Sequence, residues 1–243
     1  MRVVRNDEFI KKRTQFTQRG SLIGMALLVG SLLLSTRSPL LSWALLSVGF
    51  VIAIASVRVG NRYVRPPRAD TVLDKVLKGL DNKYTLYHYF HPAEHLLLTP
   101  SGLIAILPRE QRGVVTARGG RWQQRPLWQR LRVIFGEPGL GNPARELKAE
   151  LAAMAKALAA LGEDVSRVPL EGVIVFHSGQ VKLHVEGVEY PTVLAEDLKA
   201  RIRELTEAHP TLDGRLRKTL AAALRGAGAA TEVTTEEAPA KSG

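Results

Sequence analysis

A chain of 243 residues has room for a small group of membrane segments and one domain of ordinary size. It contains no cysteine, which excludes disulfides and cysteine-ligated zinc. The net charge of +11 suggests a polyanionic partner until it is located: residues 1–68 are net +9 and residues 69–243 net +2, so the excess surrounds an apolar region and speaks first of membrane topology and anionic lipid.

In chain order, residues 1–19 hold six Lys and Arg and read as a basic cytoplasmic N-tail. Gly20 to Thr36 is an uncharged run of 17 residues, and Ser38 to Val57, beyond Arg37, is another of 20. A spanning helix needs about 20 apolar residues, with about 17 the lower end. Arg19 and Arg37 can extend the shorter run by snorkelling. A signal peptide also has a basic start, but no Ala-x-Ala-like site separates the two runs. They are predicted to be two transmembrane helices, 20–36 and 38–57, forming a hairpin in the lipid bilayer; a re-entrant or interfacial first segment is the alternative. Arg58, Arg62, Arg65 and Arg68 follow the second run, whereas the turn offers Arg37 alone. Basic flanks stay in the cytoplasm. The expected location is therefore the cell membrane, two-pass, with both termini and the soluble domain cytoplasmic. Neither span holds an acid or a histidine, so the hairpin reads as an anchor without an ion path. Residues 60–68 form a basic linker stiffened by Pro66-Pro67.

The remainder predicts a mixed α/β domain with a central sheet flanked by helices. Val72, Val76 and Leu80 recur at helical spacing, which predicts a helix over 69–80. Tyr84–Phe90, His95–Thr99, Leu103–Leu107 and Val114–Arg118 read as strands, with a turn at Pro100-Ser101-Gly102 and further sheet near Trp122. Asn142 and Pro143 begin a helix whose Leu147, Leu151, Met154, Leu158 and Leu161 form one apolar stripe; a packed helix is favoured over a short dimer seam. Val168–Phe176 and Val181–Val185 are strands, and helices follow over 194–205 and 212–224. From Gly226 the composition predicts a disordered tail, 228–243 being its core.

Three motifs invite chemistry. His91-Pro92-Ala93-Glu94-His95 spells H-x-x-E-H, a metallopeptidase string. That chemistry needs both histidines on one helical face, and Pro100 and Gly102 follow too closely after strand-like sequence. The series His88, His91, His95 is not expected to converge in extended chain. The loop from Gly136 to Gly141 precedes a helix but lacks the Gly-Lys-Ser/Thr ending of a phosphate loop. Between Arg109 and Arg132 lie Arg112, Arg118, Arg121, Arg125 and Arg130, with Trp122 and Trp128 interleaved and Glu110 the one acid. Such a patch suits nucleic acid or anionic lipid head groups; a solvated basic loop is the plainer reading.

The combination of a helix, a strand, "EHLLLTPSGLIAIL", "RGVV" with a tryptophan, then "NPARELKAELAAMAKAL" and "VPLEGVIVF" resembles the nuclease-related domain, NERD, of the restriction-endonuclease-like superfamily, over roughly residues 69–190. The resemblance implies a restriction-endonuclease-like fold and a metal-dependent phosphodiester-cleaving ancestry. A carboxylate would end one strand and Glu-x-Lys would sit on the next. Those positions fall on Glu94 and on Leu107-Pro108-Arg109, and Asp70 falls where the family often has an early helix glutamate. Leucine cannot bind Mg²⁺, and arginine stays protonated and cannot serve as a base. Glu110 would replace the missing acid only if a bulge formed at Pro108. The expectation is a silent site with no catalytic residue, no metal and no cofactor, and an ion pair between Glu94 and Arg109. A binding or interaction role follows. The alternatives are an active membrane-tethered nuclease using Mg²⁺ at a rearranged site, or a nucleic-acid or lipid-binding module using Arg109–Arg132.

Overall fold

The computed structural model describes residues 1–125 and 139–236, the last ten as backbone. In chain order the elements are β1 (Arg2–Arg5), α1 (Asp7–Leu34), α2 (Pro39–Tyr63), α3 (Ala69–Val76), β2 (Thr85–His88), β3 (His95–Leu98), β4 (Leu103–Arg109), β5 (Gly113–Arg118), β6 (Arg121–Arg125), α4 (Pro143–Ala159), α5 (Glu163–Ser166), β7 (Leu170–Phe176), β8 (Val181–Glu186), β9 (Thr192–Leu194), α6 (Leu198–Glu207) and α7 (Gly214–Glu236). Two compact units result. One holds Asp7–Ala69 with 124–140; the other holds Met1–Asn6, Asp70–Gln123 and the chain from Gly141.

The larger unit is a mixed α/β domain. Its main sheet has the order β1-β2-β3-β4-β7-β9 and a second sheet the order β6-β5-β8. Strands β2, β3 and β4 form an antiparallel meander, and α4 carries the chain across to β7, which runs parallel to β4. One sheet face packs Leu86, Leu97, Ile104, Ile106, Val173 and Val175 against Leu73 of α3, Leu77 just after it, and Leu198 and Ile202 of α6. On the other, Leu147 of α4 lies over Gly172. The α4 start is as expected: the Asn142 side chain accepts from Arg145 N at 3.1 Å and Pro143 opens the helix. The β5–β6 turn places Gly119 at φ 52° and Gly120 at φ 79°, the two left-handed positions that a tight hairpin demands.

Two expectations are corrected. Residues 2–5 are not part of a basic tail: β1 pairs parallel with β2 at the edge of the main sheet, and its two arginines suit an edge strand. The sheet extends past residue 190 through β9, which pairs with β7. Helix α7 runs to Glu236. Residues 237–243 of the expected tail lie outside the described residues, as do Trp128, Arg130, Arg132 and the start of the glycine loop at Gly136.

The smaller unit is a helical hairpin. Both helices are long and apolar enough to cross a membrane, with mean hydropathy 1.3 and 2.3. Helix α1 begins at Asp7, ahead of Gly20, because Lys and Arg are good helix formers and Glu8 pairs with Lys12 at 3.0 Å. The helices meet through small residues. A Cβ on Gly49 would lie 2.9 Å from Leu27 Cβ and 3.1 Å from Gly24 O, so glycine is needed for the approach. Ser42 Oγ donates across the pair to Ser31 O at 2.7 Å. The large side chains point outward instead: Leu40 is 86% and Trp43 69% exposed.

Candidate functional site

The zinc string is a turn. Residues 89–94 bend between β2 and β3, and His95 opens β3, so no helix carries the two histidines. Tyr89 takes φ 65° in this turn, held by its N–H to Glu94 O at 2.8 Å and by Asn6 Nδ2 donating to its carbonyl at 3.3 Å.

The expectation that the histidine series does not converge is corrected in part. The hairpin sets His88 directly opposite His95, and their Nδ1 atoms lie 2.7 Å apart in the interior. One nitrogen must carry a proton and the other a lone pair. His88 Nε2 is 3.0 Å from Asp74 Oδ1, where an N–H donates to the carboxylate. Asp74 is also held by Arg5 Nη2, and Arg5 Nε lies 3.0 Å from Asp70 Oδ2. The result is a line of groups, Asp70–Arg5–Asp74–His88–His95, buried at Asp70 and the two histidines and half-buried at Arg5 and Asp74, running from α3 through β1 to β2 and β3. It is linear: among the described residues no three His, Asp or Glu side chains converge as metal ligands would. His91 points elsewhere. Its ring meets Tyr87 edge-on at 5.6 Å, and burial pushes its pKa down to about 4. Burial likewise lowers the pKa of His177.

Glu94, next to β3, and Leu107-Pro108-Arg109, on β4, lie on neighbouring strands of the main sheet. The β3–β4 ladder pairs Leu96 with Ala105 and Leu98 with Leu103, and Glu94 stands just ahead of β3 beside the far half of β4. Leu107 is 3% exposed and belongs to the core. The expected Glu94–Arg109 pair is replaced: Arg109 Nη2 binds Glu146, from the first turn of α4. A carboxylate there also faces the helix N-terminus, which favours negative charge. The β4–β7 register runs unbroken from Leu103 to Arg109 through Pro108, so no bulge turns Glu110 toward Leu107. Asp70 is fully buried and tied to Arg5, apart from this constellation in its bonding.

The arginine patch is divided. Arg112, Arg118, Arg121 and Arg125 are exposed, and Arg118 Nε pairs with Glu186 at 3.1 Å. The β5–β8 register adds the exposed Lys182 and His184 beside Val114 and Thr116. Trp122, by contrast, stacks on Phe176 at 6.4 Å, which makes it a core contact and not a displayed platform.

Sequence reasoning missed Arg5, Asp74 and Glu146, and it named His88 without expecting it to meet His95. The available signal was the i,i+4 spacing of Asp70 and Asp74. Set against models of known families, against curated proteins and against solved structures, the chain finds no match.

Proposed function

We propose that this chain is a membrane-anchored domain of the nuclease-related type that binds a partner and does not cleave. The observation that carries the reading is the pair of residues where Glu-x-Lys would stand. Leu107 offers no oxygen to a divalent cation, and Arg109 is already engaged by Glu146. The order of α3, the β2–β4 meander, α4 and the parallel β7 supports the restriction-endonuclease-like comparison. An inactive domain would show no Mg²⁺- or Mn²⁺-dependent cleavage of DNA or RNA by the full chain in neutral detergent, relative to a chelated control. Cleavage that Glu94→Ala abolishes would overturn the reading in favour of an active tethered nuclease.

The outward apolar side chains of α1 and α2, with small residues at their contact, support insertion in a bilayer. Strand β1 precedes the hairpin and its partner β2 follows it, so two membrane passes return the chain to the side it left. The basic flanks support the cytoplasm as that side.

A second reading, contact with nucleic acid or anionic lipid, is favoured by the exposed Arg118, Arg121 and Lys182 of the second sheet. Nucleic-acid affinity that falls steeply with salt, and less steeply in Arg121→Gln with Lys182→Gln, would support it. Binding to anionic vesicles alone would assign the face to lipid.

A further inference from the structure

We infer that the cleft between β1, β2 and the first turns of α7 is a binding site for a phosphate-bearing ligand. This cavity of about 380 Å³ is lined by Arg2, Asn82, Thr85, Arg217, Lys218 and Arg225, with no acidic residue in its wall. Its volume falls in the usual range for small-molecule sites, about 300–1,000 Å³. The site shares no residue with Glu94, Leu107 or Arg109 and does not rest on the reading above.

The fold assembles these charges from distant sequence. The parallel β1–β2 register sets Arg2 beside Thr85, and Leu98 lies opposite Thr85 on β3. On α7, positions 217, 218, 221 and 225 follow helical spacing and present one side. Gly214 and Ala221 carry small or no side chains, which leaves the space between the cations open.

Four like charges around one cavity repel one another, and the local acids do not relieve them. Among the described residues none of the four pairs with a carboxylate. Asp81 instead accepts from Lys83 N, and Asp213 accepts from Arg215 N at 3.0 Å. Two arginines are braced by backbone carbonyls: Arg217 Nη2 donates to Lys83 O, and Arg225 Nε to Ala221 O at 3.2 Å. The Arg217 Nε is buried without a hydrogen-bond partner. Bracing fixes the guanidinium planes and leaves further N–H groups for a ligand. Tyr87, buried in β2, lies within the field of Arg225, Arg2 and Arg217, which oppose the upward effect of burial on its phenol. Several forked donors around one concavity match the oxygens of a phosphate better than a single carboxylate. A soluble phosphoester or diphosphate and a glycerophospholipid head group both present that chemistry.

The test titrates the full chain, in neutral detergent, by calorimetry. One arm uses inorganic pyrophosphate; the other compares dihexanoyl phosphatidylglycerol with dihexanoyl phosphatidylcholine. Saturable binding in either arm is expected, weakened about tenfold or more by Arg217→Gln with Arg225→Gln. Arg121→Gln with Lys182→Gln, on the second sheet, is expected to bind as the parent does. Binding of pyrophosphate alone assigns a soluble ligand, and binding of phosphatidylglycerol but not phosphatidylcholine assigns a head group. If the double variant melts below the parent, Lys218→Gln replaces it, with a loss of about threefold expected. The inference fails if neither arm binds, if the cleft variants bind like the parent, or if both sets of variants lose binding equally.

Discussion

Arg5 and Asp70 meet at 3.0 Å in the domain interior, although the whole α1–α2 hairpin separates them in sequence. Asp70 is 0% exposed, so its charge depends on the partners that the fold supplies. Removing one member of a buried pair leaves the other charge without compensation. Arg5→Ala should therefore destabilise the full chain by about 3 kcal/mol in denaturant titrations. A loss below about 0.5 kcal/mol would place the pair among ordinary surface bridges.

Glu146 rather than Glu94 is the acid that holds Arg109. Glu146→Ala should cost about 2 kcal/mol, since Arg109 is largely buried, and Glu94→Ala should cost less. Comparing the two midpoints checks this; the reverse order would restore the pair expected from the sequence.

Stability should fall as the solution is acidified from neutral. The unfolded chain protonates His91 near pH 6.5, whereas the folded chain does so only near 4. The unfolded state therefore binds more protons between those values, and stability rises with pH across that window and is flat above it. His177 acts in the same direction. A loss of about 1–2 kcal/mol is expected between pH 7 and pH 5, most of it absent in His91→Phe. A pH-independent midpoint over this range would contradict the buried neutral ring.

Gly49→Leu should separate α1 from α2, because even a Cβ there meets Leu27 and the Gly24 carbonyl. A cost of about 1–3 kcal/mol, read as lower thermal stability in neutral detergent, is expected. Gly30→Leu is the control, since a Cβ at Gly30 meets nothing within 4 Å. Equal effects would mean that the small-residue contact does not hold the hairpin.

The absence of cysteine makes single-cysteine labelling clean. In intact cells an impermeant maleimide should label Thr36→Cys, in the turn, and reach Lys182→Cys only after lysis. The opposite pattern would invert the topology, and labelling of both would argue against a spanning hairpin.

Elements whose signals are local were legible in the sequence. Helix α4 announced itself through Asn142-Pro143 and its apolar stripe, and the β3–β4 turn through Pro100-Ser101-Gly102. Strand β1 was hidden because four residues beside a charged helix carry little periodicity, and their partner lies at 85–88. The histidine pair was hidden for a related reason. Residues that diverge along one extended strand come face to face when a hairpin closes between them. The partner of Arg109 was not legible, because it comes from a helix in distant sequence.

Strand β1 also sets an order of events. Its residues are synthesised before the hairpin, and the strand with which they pair is synthesised after it. Until Thr85–His88 emerges, Arg2–Arg5 has no neighbour in the sheet, and closing that long loop carries an entropic cost that grows with the intervening length. If the hairpin spans, its insertion has to finish, or at least commit to a direction, before the domain can close its edge. A fragment beginning at Ala69 would lack that strand altogether and present the β2 edge to solvent, open to pairing with other chains.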